Sequence, residues 1–142
     1  MNISENIKKI HEEVTTWRHE LHANPELCYE ENWTAEYITE KLKSFGIEVH
    51  NKIGKTGVIG VLKGSNSQEH KSNRSIGLRA DMDALPIEEE NDFDYKSKIL
   101  GKMHACGHDG HVAMLLGAAK ILSKEKKFSG TVYFIFQPAE EG

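Results

Sequence analysis

Three residues able to bind a metal ion alternate within one short segment of the chain: His104, Cys106 and His108. In an extended segment, alternate side chains point to the same side, and imidazole and thiolate both suit zinc and similar ions. Gly107 and Gly110 allow a sharp turn just before a predicted helix. The pattern indicates a metal site, but a glycine-rich loop whose histidines only make hydrogen bonds would look the same. No second Cys-x-x-Cys or His pair completes a closed structural zinc site, which disfavours a zinc finger.

Two pairs of carboxylates follow predicted strands. Asp81 and Asp83 are separated by one residue, so both can face one pocket, and one of them could orient a metal-binding imidazole. Glu140 and Glu141 are adjacent, so one could bind an ion while its neighbour acts as a general base. Each pair alone also fits a solvated turn or chain end. Together with the His/Cys segment, they fit a hydrolytic metal site.

The elements that must position these residues are predicted from the hydrophobic spacing. Helical spacing predicts three helices, over residues 4–21, 33–45 and 110–124. Strand patterns predict four strands, over residues 47–49, 58–62, 76–80 and 131–136. The alternation predicts an α/β fold in which helices pack on a mixed, mainly parallel sheet. The continuous apolar run at 131–136 predicts a strand covered on both faces.

Capping residues and polar segments predict where these elements begin and end. Ser4 and Asn32 are the expected N-caps of the first two helices, and Gly46 is the expected C-terminal glycine of the second. The polar segment 63–74 is predicted to be a solvated hairpin loop. The charged segment 88–94 is predicted to lie on the surface.

Length and composition limit the possible classes of protein. The 142 residues fit one domain. The net charge of −4 and the absence of an apolar run near ~20 residues argue against nucleic-acid binding and against a membrane span. Two cysteines do not make a disulfide scaffold, and no signal peptide is visible, so a reducing cytoplasm is expected. Cys28 is expected to pack as a small apolar residue.

Four segments of the chain carry a family resemblance. They are Trp17–Leu27, Leu78–Ile87, Met103–Ala119 and Phe136–Gly142. In this order they resemble the N-terminal part of the aminoacylase/carboxypeptidase-type metallopeptidases. The most similar group is the N-acyl-amino-acid amidohydrolases, which include the hippurate and indole-acetyl-amino-acid hydrolases. The resemblance covers nearly the whole chain. It implies that residues 1–142 are the N-terminal part of a zinc-exopeptidase-like catalytic domain, without the lid and dimerisation domain and without the C-terminal part.

The resemblance also implies roles for individual residues. Cys106, His108 and Glu141 match metal ligands, and Glu140 matches the general base that moves a proton from water to the leaving amine. Supporting positions are matched by Asp81, Asp83, His104 and Asp109. The implied cofactor is a divalent ion, namely Zn, Mn, Co or Ni, with one or two per site. The implied reaction is hydrolysis of the amide bond of an N-acyl amino acid, a small-molecule substrate, and full-length members are often homodimers.

The chain departs from the family pattern in its ligand set. Members supply two further histidine ligands beyond the glutamate pair, and no histidine of this chain matches them. Little or no activity is therefore expected of this chain alone. His22, Pro25 and Glu26 are interpreted as structural, joining the first helix to the second.

Two alternatives stay open at this stage. The first is a non-catalytic remnant that binds metal or a partner. The second is a cysteine hydrolase with Cys106 as nucleophile and His104 or His108 as base.

Overall fold

The computed structural model describes residues 5–65 and 74–142. Its helices are α1 (Glu5–Ala23), α2 (Asn32–Ser44) and α3 (His108–Glu125). Its strands are β1 (Glu48–Ile53), β2 (Gly57–Lys63), β3 (Ser75–Asp81) and β4 (Thr131–Gln137). The three predicted helices and four predicted strands are therefore present, and the α/β class is confirmed. The expected N-cap Ser4 lies outside the described residues.

The four strands form one mixed sheet in the order β1-β2-β4-β3. β1 pairs with β2, and β2 with β4, in antiparallel fashion, whereas β3 and β4 are parallel. The expectation of a mainly parallel sheet is wrong for the described strands, because only the β3-α3-β4 unit returns the chain through a crossover helix. The segment 63–74 does not close a hairpin, because β4 lies between β2 and β3. Residues 66–73 of it lie outside the described part of the chain.

The hydrophobic core lies between the helices and one face of the sheet. Phe134 and Phe136 of β4 are fully buried there, together with Leu42 of α2. Tyr133, on the opposite face of β4, is 38% exposed. Within the described residues, the prediction that this strand is covered on both faces is therefore wrong. α1 packs on α3, where Gly117 permits close approach, since a Cβ there would meet Val14 at 3.1 Å.

None of the helices in the described ranges has both the length and the apolar character required to span a membrane.

The start of α2 is stabilised by a side chain from the preceding loop. The Glu26 carboxylate accepts hydrogen bonds from the Trp33 amide (3.1 Å), the Thr34 amide (2.8 Å) and the Thr34 hydroxyl (2.9 Å). The predicted cap Asn32 is instead the first helical residue and donates to the Glu30 carbonyl. The helix ends as predicted, with Gly46 in the left-handed region at φ 72°.

Replacing Glu26 is expected to destabilise the fold. In Glu26→Gln, one carboxylate oxygen becomes an amide nitrogen that cannot accept, so we expect unfolding free energy to fall by about 1–3 kcal/mol. The matched control Glu36→Gln removes the same charge from an exposed position of α2 and should change stability by less than about 0.5 kcal/mol. Urea denaturation measures both. Equal losses in the two variants would contradict the capping role.

Candidate metal centre

The parallel pairing of β3 with β4 brings three distant segments together. Asp81, at the end of β3, pairs with Gln137, at the end of β4. The residues that follow the two strands therefore leave the sheet at the same edge. α3 begins at His108, between these strands in sequence, and packs on β3. The predicted site segments after β3, before α3 and after β4 thus converge.

Cys106, His108 and Glu141 place one potential ligand atom each within 4.8 Å of one another. His108 is only 4% exposed, whereas Cys106 is exposed and the Glu141 side chain is 24% exposed. The Glu140 carboxylate lies beside this group, with its Oε2 at 3.9 Å from His108 Nε2. The cluster is therefore open to solvent on the side of the cysteine and the glutamates.

The imidazole of His108 is oriented by the backbone of the Asp83 segment. Its Nδ1 lies 2.8 Å from the Asp83 carbonyl oxygen, and a carbonyl can only accept, so Nδ1 carries the proton. In the neutral ring, Nε2 then has a free lone pair. Three carboxylates lie near that lone pair: Asp81 Oδ1 is at 3.6 Å, and Glu140 and Glu141 are at 3.9 Å each. A neutral His108 cannot hydrogen-bond to any of them through Nε2.

Asp83 holds the other parts of the cluster in place. Its carboxylate is 1% exposed and accepts a hydrogen bond from the Glu141 amide at 2.9 Å. It also accepts one from the Cys28 thiol at 3.2 Å. Burial opposes ionisation, but these hydrogen bonds outweigh it and lower the pKa of Asp83. Cys28 is therefore a hydrogen-bond donor to this carboxylate, rather than only a small apolar packing residue.

Asp81 forms a second contact with α3. Its Oδ1 lies 2.6 Å from His111 Nδ1, and Arg79 approaches its other oxygen at 3.3 Å. Burial again opposes ionisation, but the hydrogen bond from His111 outweighs it and lowers the pKa of Asp81. With His108, Asp81 and His111 form a second set of potential ligand atoms within 4.8 Å. His108 and His111 are three residues apart in a helix, a spacing that places both side chains on one face. This spacing is the feature of the sequence that could have indicated that His111 lies beside His108.

His104 does not join the cluster. The chain turns at residues 105 and 106, and Gly107 is left-handed at φ 83°, so the segment is not extended and His104 and Cys106 do not share a side. His104 is 4% exposed, and neither ring nitrogen has a hydrogen-bond partner among the described residues. Burial lowers the pKa of His104 to about 4. The ring is therefore neutral near pH 7.

His22 connects α1 to the start of α3 through Asp109. Its Nδ1 lies 2.7 Å from Asp109 Oδ2, which also accepts from Arg18 Nε at 2.9 Å. Its Nε2 lies 3.0 Å from Glu89 Oε1. The interpretation of His22 as a link between the first two helices is therefore wrong. The Glu26 carboxylate, by contrast, does connect the end of α1 to α2.

The electrostatics of this group favour a protonated His22. Both ring nitrogens face carboxylates, and the hydrogen bond to Asp109 is the largest effect that raises the pKa of His22. Burial would raise the pKa of Glu89, but hydrogen bonds from Ser97, Asn91 and His22 lower it to about 2. Glu89 is 8% exposed, which corrects the prediction that the whole segment 88–94 lies on the surface.

The surroundings of Cys106 disfavour a cysteine nucleophile. A hydrogen bond to Glu141, followed by burial and the charges of Glu141, Glu140 and Asp81, raises the pKa of the Cys106 thiol. A nucleophilic cysteine requires the opposite shift. The same carboxylates are compatible with a thiolate only when a cation is also bound.

Comparison with known proteins agrees with this geometry. Residues 77–142 match the model of peptidase family M20/M25/M40. A hippurate hydrolase of Campylobacter jejuni is 51% identical over 142 residues, which are 100% of this chain and 36% of that protein. Over residues 77–142 the chain is similar to the M20 peptidases. The chain spans about a third of the length of the curated relatives that it matches.

Two further similar proteins extend the comparison to another amidohydrolase and to a solved structure. An N-acyl-L-amino acid amidohydrolase of Geobacillus stearothermophilus is 49% identical over 96% of this chain and 37% of its own length. The crystal structure of the Bacillus subtilis YXEP protein, described as a dinuclear metal-binding M20 peptidase, is 42% identical with a TM-score of 0.86. That match covers 94% of this chain and 37% of the other. The fold of this chain is therefore that of the M20 proteins over the part they share.

Protonation of His22 is expected to make stability depend on pH. Because its folded pKa is raised above 6.5, its contribution is fully present below about pH 6.5 and is lost as the pH rises through the folded pKa. The unfolding free energy should therefore fall over that window in the wild type, and much less in His22→Gln. Urea denaturation as a function of pH measures this.

The control for this experiment is His50→Gln. The His50 side chain is 54% exposed and lies 3.0 Å from the exposed Glu48, so this variant should keep the fall in stability. A His22→Gln variant with the same pH dependence as the wild type would show that His22 does not hold the proton.

Proposed function

We propose that this chain is the N-terminal part, over residues 1–142, of the catalytic domain of a metal-dependent amidohydrolase. The reaction is hydrolysis of the amide bond of an N-acyl amino acid. The observation that carries the proposal is the approach of Cys106, His108 and Glu141 to within 4.8 Å, with Glu140 beside them. The identities of the hippurate hydrolase and the N-acyl-L-amino acid amidohydrolase support the substrate class.

The residues present fit a divalent cation. In the neutral ring, the lone pair of His108 Nε2 faces the carboxylates of Asp81, Glu140 and Glu141 at 3.6–3.9 Å, so these groups repel one another. A cation removes this repulsion, and thiolate, imidazole and carboxylate together suit Zn, Mn, Co or Ni. Cys106, His108 and Glu141 would hold it. Once bound, the ion supplies Lewis acidity that polarises the amide carbonyl of the substrate.

Glu140 is proposed as the general base. Its side chain is 40% exposed, so water and substrate can reach it, and its Oε2 is 3.9 Å from His108 Nε2. The carboxylate takes a proton from the attacking water as the new C–O bond forms. It then gives this proton to the amine nitrogen as the C–N bond breaks. The products are a carboxylic acid and the free amino acid, and the carboxylate of Glu140 is regenerated.

Asp83, Asp81 and Asp109 are proposed to support the site through their hydrogen bonds. Asp83 fixes the ring of His108 through its carbonyl and the backbone of Glu141 through its carboxylate. Asp109 fixes the first turn of α3 to α1 through Arg18 and His22. His104 fills the buried space near His22, with 6.4 Å between the ring centroids. The two unpaired cysteines favour a reducing compartment, for which we propose the cytoplasm.

Cobalt binding tests the ligand assignment. We expect Co²⁺ to bind the wild-type chain with a thiolate-to-cobalt absorption band, because Cys106 is a proposed ligand. Cys106→Ser should abolish the band and weaken binding, whereas the matched control Cys28→Ser should keep it, because the Cys28 thiol donates to Asp83 instead. Visible and near-ultraviolet titration measures both. A wild-type chain without the band, or loss of the band in Cys28→Ser, would contradict the assignment.

Hydrolysis by this chain is expected to be weak. The relatives that define the substrate class are nearly three times as long, and the resemblance implies two further histidine ligands that no residue of this chain matches. We therefore expect little release of glycine from hippurate with Mn²⁺ or Co²⁺, and any activity should disappear in Glu140→Gln. Efficient turnover by the 142-residue chain, or turnover that survives Glu140→Gln, would contradict the proposal.

A further inference from the structure

A buried carboxylate reaches from the start of α2 to the segment after β4. Glu31 is 0% exposed and occupies the N-cap position of α2, but its side chain makes no capping hydrogen bond to that helix. Its Oε1 instead accepts from the Ala139 amide at 2.9 Å. Its Oε2 accepts from the Thr56 hydroxyl at 2.6 Å. The sequence around Glu31 does not indicate these contacts, because the partners are 25 and 108 positions away.

Ala139 has a conformation that requires support. Its φ is 52°, in the left-handed region, which a residue with a Cβ adopts only at a steric cost. Ala139 directly precedes Glu140 and Glu141. Its backbone angles therefore set the direction of the chain that carries both glutamates after β4. Pro138, on its other side, packs against the first residue of β2, where a Cβ on Gly57 would meet Pro138 Cδ at 2.9 Å.

We propose that Glu31 is a positioning residue for Glu140 and Glu141, acting through the left-handed conformation of Ala139. The inference rests on the proposed function, which gives those two glutamates their roles. Burial of a carboxylate is unfavourable unless hydrogen bonds replace the lost hydration. Here its two acceptor oxygens are matched to one amide and one hydroxyl. Without Glu31, both donors are left unsatisfied and Ala139 relaxes to a right-handed or extended conformation, which moves Glu141 away from Cys106 and His108.

Two neutral substitutions of Glu31 separate hydrogen bonding from charge. Glu31→Met removes both acceptors at similar length. Glu31→Gln keeps an oxygen for the Ala139 amide and offers an amide nitrogen to the Thr56 oxygen. Titration of the 142-residue chain with Co²⁺ should show binding about 10–100-fold weaker in Glu31→Met. Glu31→Gln should stay within about threefold of the wild type, because its oxygen can still accept from the Ala139 amide and its NH2 group can donate to the Thr56 oxygen.

The left-handed conformation itself is tested at Ala139. Glycine adopts this conformation without the Cβ cost, so Ala139→Gly in the Glu31→Met background should restore part of the Co²⁺ affinity. Ala139→Val should weaken Co²⁺ binding even with Glu31 intact, because β-branched residues strongly disfavour this region. Ala139→Val also carries the test if Glu31→Met does not fold.

A matched control separates positioning from loss of stability. Glu26→Gln weakens the start of α2 but does not contact residues 138–141, so it should lower the melting temperature without changing the Co²⁺ affinity. Folded Glu31→Met and Ala139→Val variants that bind Co²⁺ as tightly as the wild type would overturn the inference alone. So would equal losses in Glu31→Met and Glu31→Gln. A wild-type chain that binds no Co²⁺ would overturn the proposed metal site, and the positioning role with it.

Discussion

The parallel pairing of β3 with β4 is the constraint on which the candidate site depends. It places Asp81 opposite Gln137, so the segments that follow the two strands leave the sheet side by side. The crossover helix α3 must begin near this edge to return the chain in the same direction, and its first residue is His108. Groups about 30 to 60 residues apart in the sequence are brought together by this one strand pairing. An antiparallel arrangement of the same strands would place the two carboxylate pairs at opposite ends of the sheet.

Buried carboxylates then hold the segments whose positions the strand pairing does not determine. Asp83 binds the segment after β4 and Cys28, Asp109 binds α1, and Glu31 binds Ala139 and Thr56. Each is at most 1% exposed, so each depends on these donors to offset the loss of hydration. The resulting framework holds further acceptors around the lone pair of His108. That arrangement is unfavourable without a cation and favourable with one, which is the electrostatic basis of the proposed metal site.

The sequence predicted the helices and strands themselves better than it predicted which of them lie beside one another. The 3.6-residue spacing of Ile10, Val14, Trp17 and Leu21 was enough to predict α1, because one face of it packs on α3. The sheet order was not predictable in this way, since an apolar strand pattern does not specify which strand lies beside it. For the same reason, the segment 63–74 looked like a hairpin loop although β4 lies between the strands it joins.

The candidate site shows the same division. Cys106, His108, Glu140 and Glu141 were identified from residue type, spacing and family resemblance, and the fold brings them together. Glu31 and Glu89 were not singled out, because a glutamate in a charged segment looks solvated until its distant partners are known. His104 was expected on the same side as Cys106, an expectation that assumed an extended segment. The left-handed Gly107 and the turn before it separate the two side chains.

Zinc K-edge X-ray absorption of the chain loaded with one equivalent of Zn²⁺ can show directly whether Cys106 binds the ion. We expect a zinc environment with a single sulphur ligand, from Cys106, together with imidazole and carboxylate ligands from His108 and Glu141. A spectrum with only oxygen and nitrogen neighbours would place the ion elsewhere on this acidic surface. It would contradict the claim that the converging ends of β3, β4 and α3 form the metal centre.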